Sequence, residues 1–123
     1  MVLVDTSVWV DHLRQGESAL QRLLEDNRVL IHPLIIGELA CGNLRDRNTV
    51  LRLLHRLPGA PEASHEEVLL MIERHRLMGR GIGYMDTHLL ASALIVQGGL
   101  WTRDKRLGRI ATETGTAWVP KDQ

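Results

Sequence analysis

Met1-Val2-Leu3-Val4-Asp5-Thr6-Ser7-Val8-Trp9-Val10 opens the chain, and its two halves follow different periodicities. Val2 to Val4 is an unbroken aliphatic run without polar alternation, which predicts a short strand buried on both faces. Thr6 or Ser7 can then cap a helix running to about Gln15, and Gly16 ends it. A strand followed at once by a helix is the unit of an α/β fold, and the rest of the chain repeats it. Ser18 opens a second short helix with Leu20, Leu23 and Leu24 on one face, and Arg28 to His32 reads as a strand stopped by Pro33. Pro33 also suits the first turn of a helix that carries Glu38 and ends at Gly42. Asp46 to Leu57 is helical, Pro58-Gly59 breaks it, and Ser64-x-x-Glu67 has the form of a capping box before a helix reaching about Met78. Gly79, Gly81 and Gly83 make a bend before the helix from Asp86 to Gln97. Gly98-Gly99 leads into a strand over Leu100 to Thr102, Asp104 starts another helix, and Thr116 to Val119 is a last short strand.

The expected fold class is therefore α/β, a three-layer sandwich with a short, mainly parallel central sheet. The segment from Asp46 to Met78 contains no credible strand and is expected to form a protruding helical pair. With 123 residues, of which 44% are hydrophobic, the chain is expected to be one domain over 1–123 with a real core. The single Cys41 permits no internal disulfide and no cysteine-based zinc site. Between Ala40 and Gly42 it reads as a small buried thiol, which fits a reducing cytoplasm. Leu89 to Val96 is the longest apolar run and is far below the roughly 18 residues of a membrane span, so no membrane association is expected.

Fifteen basic and fifteen acidic residues cancel, which argues against holding nucleic acid by bulk charge alone. The placement of four acids is more telling. Asp5 ends the first apolar run, Glu38 is the only acid between Ile31 and Gly42, Asp86 is the only Asp, Glu, Lys or Arg between Gly81 and Thr102, and Asp104 follows Leu100-Trp101-Thr102. An ionised carboxylate next to a hydrophobic core loses several kcal/mol of hydration unless something compensates it. In a parallel sheet, sites form beyond the carboxyl ends of the strands, where Asp5 and Asp104 fall. Carboxylates gathered there repel by roughly 1 kcal/mol per pair in water and several times that at an effective dielectric near 20, so a cation is needed. Oxygen donors select a hard ion, Mg2+ with Mn2+ as a substitute, and such an ion suits hydrolysis of a phosphodiester.

Four stretches carry a resemblance: Asp5-Thr6-Ser7-Val8-Trp9-Val10-Asp11; Glu38-Leu39-Ala40-Cys41-Gly42; Gly83-Tyr84-Met85-Asp86-Thr87-His88-Leu89-Leu90-Ala91-Ser92-Ala93; and Leu100-Trp101-Thr102-Arg103-Asp104. In order and spacing they resemble the PIN-domain ribonucleases, and among them the VapC-type toxins. That resemblance implies Asp5, Glu38, Asp86 and Asp104 as the catalytic cluster, with Asp5, Asp86 and Asp104 as metal ligands and Ser7 and Thr102 as polar residues orienting the site. It also implies an RNA substrate cut to leave a 5′-phosphate, a VapB-type antitoxin and a homodimer. Arg103, Lys105, Arg106 and Arg109 bracket Asp104 and are expected to hold the RNA backbone; other Arg clusters read equally well as solvated helix faces.

Simpler readings stand beside this one. Asp5 and Asp104 can serve only as helix caps, Glu38 can pair with an Arg, and Asp86 can satisfy backbone after the glycine bend. Asp11 reads as a helix-surface charge, Trp9 as packing at an interface, and the six His residues as surface or satisfied core groups. Two rival functions are an Asp-based phosphatase and a non-catalytic interaction module of the same fold. The first needs a second Asp two residues after the first, where Ser7 stands. The second would be expected to have lost an acid, and all four are present.

Overall fold

The computed structural model describes residues 1–121, so residues 122 and 123 of the expected 1–123 domain lie outside it. At its centre is β1 (Val2–Val4), every residue of which is buried. It pairs in parallel with β2 (Val29–Leu30) on one side and β3 (Gly99–Trp101) on the other, giving the order β2-β1-β3. The register sets Val2 against Val29 and Gly99, and Val4 against Trp101. A central strand covered on both faces needs apolar residues throughout, which is what Val2, Leu3 and Val4 supply.

Seven helices surround this sheet among the described residues: α1 (Thr6–Gln15), α2 (Ser18–Glu25), α3 (Pro33–Ala40), α4 (Arg47–His55), α5 (His65–His75), α6 (Tyr84–Val96) and α7 (Lys105–Glu113). The expected α/β order holds. No described helix is long and apolar enough to cross a membrane. The capping box of Ser64 and Glu67 forms as the spacing predicts, with both reciprocal hydrogen bonds present. Gly16 closes α1 with a φ of 81°, a conformation that costs a residue with a Cβ and costs glycine nothing.

Several local expectations change. The cap of α1 is Asp5 itself and not Thr6 or Ser7, because its carboxylate accepts the Thr6 N–H at the end of β1. α5 stops at His75, where Arg76 turns left-handed, short of the expected Met78. The strand foreseen over 116–119 shrinks to a single bridge between Leu100 and Ala117. There Trp118 crosses so close to Gly99 that a Cβ on that glycine would lie 2.7 Å from the Trp118 Cβ, and Pro120 has no N–H to extend a ladder. Residues between α4 and α5 also touch the sheet edge: Ile31 N–H donates to Pro58 O and Ala60 N–H to Ile31 O. The two helices of the expected pair find separate partners, α4 against α3 and α5 against α6. Leu54, Val68, Met71 and Leu77 are buried there.

Trp9 is core and not interface, 3% exposed on the buried face of α1. Cys41, expected to be buried, is exposed, because α3 ends at Ala40 and the chain turns outward at the cap. His32 is buried at the end of β2 and caps α3 through Nδ1, which accepts the Leu34 N–H at 3.1 Å. Burial lowers its pKa, opposed by the charge of Glu62 and assisted by that of His88. A histidine whose folded pKa is depressed contributes stability that is complete above its unfolded pKa of about 6.5 and is lost as pH falls towards the folded value. Thermal unfolding of the wild type should therefore show a falling Tm from about pH 6.5 downward. The variant His32→Asn, which keeps a cap but cannot gain a proton, should show a shallower slope over the same window.

Candidate active site

Since β1 and β3 pair in parallel with Val4 opposite Trp101, the next residue of each strand must also be a neighbour. Asp5 N–H donates to Trp101 O at 2.9 Å, and the Thr102 hydroxyl donates to Asp5 Oδ2 at 2.7 Å. Ser7 Oγ donates to the same oxygen at 3.0 Å, while Thr6 N–H donates to Oδ1 at 2.8 Å. The Asp5 side chain is thus fixed by three donors although the residue is only 7% exposed. Hydrogen bonds to a charged group contribute about 1.5–3 kcal/mol each, enough for three to offset the several kcal/mol that burial costs.

Thr102 and Ser7 are both used twice. Thr102 Oγ1 accepts the Asp104 N–H at 3.1 Å, and Ser7 Oγ accepts the Arg103 N–H at 3.0 Å. The loop from β3 to α7 is thereby tied to the first turn of α1. Asp104 caps α7, accepting the Leu107 N–H at 2.9 Å. Asp86 lies in the first turn of α6, where its Oδ2 accepts the Gly83 N–H at 3.2 Å. Glu38 is exposed on α3 and helps line a cleft of about 320 Å³ with Thr6, Val10, Leu13 and Leu44.

The charges of the other three acids all reach Asp86. The pKa of Asp86 is raised, first by burial; the Gly83 N–H opposes this, and the charges of Asp5, Asp104 and Glu38 each add to it. Among the described residues, however, no three acid, histidine or cysteine side chains stand in a geometry that would share an ion. Each aspartate turns an oxygen to a backbone N–H of or next to its own helix start. The donor set is all carboxylate and hydroxyl oxygen, which suits a hard divalent ion and not a soft one.

The basic group around Asp104 is divided. The Arg103 guanidinium is committed to two acids, Asp11 on α1 and Glu17 at the cap of α2, and stands over the Trp101 ring with its carbon 5.8 Å from the centroid. Lys105, Arg106 and Arg109 are exposed on α7. Arg106 lies along Gly81, whose φ of 81° and lack of a Cβ admit the guanidine side chain at a distance no other residue would allow. Asp11 was legible only as a helix-surface charge and Glu17 carried no signal, because nothing local marks either as a partner of a residue so distant in sequence.

Residues 2–113 match the PIN domain family. Ribonuclease VapC32 of Mycobacterium tuberculosis is 49% identical over 118 residues, 95% of this chain and 95% of the relative, in strain H37Rv. The protein of the same description from strain CDC 1551 / Oshkosh matches at the same identity and coverage.

A carboxyl whose folded pKa is raised favours the folded state at low pH, and that contribution is lost as pH rises through the folded value. In chelator-treated protein at pH 7, Asp86→Asn should therefore raise Tm by a few degrees, on the order of what 1 kcal/mol gives in a domain of this size. The gain should shrink as pH falls through the folded value, where the wild-type carboxyl takes up its proton. A lower Tm for the variant at pH 7 would show that the Gly83 cap outweighs the repulsion.

Proposed function

This chain belongs to the PIN-domain family and within it to the VapC-type ribonucleases, and we propose that it is the single-domain toxin of a toxin–antitoxin pair, hydrolysing RNA phosphodiester bonds with a magnesium ion held by Asp5, Asp86 and Asp104. What carries the residue assignment is the setting of Asp86, a half-buried carboxyl that the charges of Asp5, Asp104 and Glu38 all reach. A group of acids that raises the proton affinity of one of its members is a group that favours a cation in the proton's place. When bound, the ion would lower the pKa of a water and neutralise charge on the attacked phosphate.

The protein's own residues set the geometry. Ser7 and Thr102 donate to the same oxygen of Asp5 and Thr6 N–H to the other, which fixes that carboxylate and leaves one acceptor site on Oδ1. Glu38, exposed beside the cleft, completes the cluster and orients the attacking water, taking its proton at an Oε atom. Attack at phosphorus breaks the bond to O3′, leaving a 3′-hydroxyl on one fragment and a 5′-phosphate on the other. Lys105, Arg106 and Arg109, exposed on the face of α7 beyond Asp104, hold the RNA backbone. Mn2+ would serve in place of Mg2+, since both are hard ions content with oxygen donors.

Asp5→Asn should lower cleavage of RNA by roughly a hundredfold or more, beyond the 10–100-fold typical of outer-shell partners, while leaving the far-ultraviolet dichroism unchanged. Wild-type rates in that variant would remove Asp5 from the mechanism. Millimolar Mg2+ should raise the Tm of the wild type and not of Asp5→Asn, because a ligand bound only by the folded state stabilises it by mass action.

The relatives' VapC character supports a VapB-type antitoxin as partner, and the apolar surface supports a homodimer. Leu70 on α5 is 68% exposed and Ile95 on α6 is 50% exposed, and both border a groove of about 400 Å³ shared with Met71 and Leu94. Exposed aliphatic residues grouped in this way mark association surfaces. Sedimentation at tens of micromolar should give a dimer for the wild type and a monomer for Leu70→Arg with its Tm retained. A wild-type monomer would exclude the homodimer.

A further inference from the structure

Arg103 was expected to hold RNA phosphate, and its surroundings assign it different work. One guanidinium nitrogen donates to Asp11 Oδ2 and the other to Glu17 Oε2, so a single fork joins α1 to the cap of α2. The backbone N–H of the same residue donates to Ser7 Oγ at 3.0 Å, and because that hydroxyl has one proton, its own donation goes to Asp5 Oδ2 at 3.0 Å. Beside it, Thr102 donates to the same Asp5 oxygen and receives the Asp104 N–H. One residue thus anchors its side chain at two points outside the acidic cluster while its main chain supplies a hydrogen bond to a hydroxyl that orients the cluster.

Ordinary exposed ion pairs contribute little, because two long side chains must be held together in water. This contact differs in three respects. Its Arg side chain is about a third exposed and that of Glu17 only 18% exposed. Its planar fork holds two acids at fixed, separated points, whereas a lysine would meet them as a single point charge. The guanidinium also rests over the ring of Trp101, a fully buried residue of β3, so the anchor is referred to the sheet itself.

We infer that Arg103 is a positioning residue for the active site, a clamp on Asp11 and Glu17 that holds the β3–α7 loop so that Ser7 and Thr102 fix Asp5, and that it is not a phosphate contact. Relative to the ribonuclease reading on which it rests, the inference adds two acids, Asp11 and Glu17, to the residues on which turnover depends. It also removes one cation from the RNA path.

The test uses two variants of the full chain, Arg103→Ala and the double variant Asp11→Asn/Glu17→Gln, assayed at several salt concentrations. The probe is a single-stranded oligoribonucleotide spanning a cleavage site mapped in total RNA. Amide hydrogen exchange at Arg103 and Asp104 is measured in parallel, without substrate. Both variants should exchange these two amides about tenfold faster and lose about tenfold in kcat, with KM within about twofold and the salt dependence of kcat/KM unchanged. The double variant is the sharper arm: it frees Arg103 and removes two anions, so a phosphate contact would lower its KM and leave kcat undiminished, and that result overturns the inference. A rise in KM for Arg103→Ala with kcat retained, and a salt slope smaller by about one, would assign Arg103 to the RNA and also overturn it. Unchanged exchange with unchanged kinetics would make the contact an inert surface pair, equally fatal. Should either variant fail to fold, Asp11→Asn alone, which leaves Glu17 in place, carries the same readouts. A wild type that cleaves no RNA would fail the ribonuclease reading, whereas exchange at Arg103 and Asp104 would still decide whether the clamp holds the loop.

Discussion

The parallel pairing of β1 with β3, Val4 opposite Trp101, is the constraint from which the site follows. Two strands that run side by side and end together must deliver their next residues to one place, and here these are Asp5 and Thr102. Each strand then turns directly into a helix, α1 after β1 and α7 after the Thr102–Asp104 corner. The free N–H groups and the dipoles of both helix starts therefore face the same region. That region accepts negative charge more readily than any other part of an apolar sheet edge, so an aspartate can stand at the end of a buried strand without unfolding it.

The same geometry explains why the simpler and the functional readings of the acids do not compete. Asp5 and Asp104 are helix caps, and Asp86 satisfies the Gly83 N–H at the start of α6. A cap uses one carboxylate oxygen and leaves lone pairs over, so holding a helix end and holding a cation are compatible roles for one side chain. What distinguishes Asp86 from a cap is its surroundings. An ordinary capping carboxylate gains from its N–H donor and titrates low, whereas burial and three neighbouring acids more than offset that gain here. The expense of bringing four carboxylates near each other is the physical reason to look for chemistry at this end of the sheet.

Farther out, the molecule divides its apolar surface between folding and association. α4 and α5 each spend one face on a different neighbour, α3 and α6, and bury Leu54, Val68 and Met71 in doing so. Their other faces keep Leu53, Leu69 and Leu70 in solvent. Elsewhere charge is paired across elements, as Arg80, between α5 and α6, is with Glu113 at the end of α7 at 2.9 and 3.1 Å.

Local chemistry was sufficient for much of this. The aliphatic run Val2–Val4, the glycine and proline stops, and the Ser64–Glu67 box announced the strand and helix order, because a strand period, a helix period and a cap are all properties of neighbouring residues. Four isolated acids in apolar settings announced a charged site for the same reason: the cost of placing them there is visible residue by residue. Tertiary structure decided the rest. Trp9 turned inward to the core, Cys41 stayed out, and the last expected strand contracted to one bridge, since each outcome depends on what packs alongside. Arg103 is the clearest case. By sequence it is one basic residue among several next to Asp104, and its role depends on acids 92 and 86 positions away. Short-range patterns declare a charge and its helix, but which opposite charge it meets is decided by the sheet pairing that brings α1, α2 and the β3–α7 loop to a common corner.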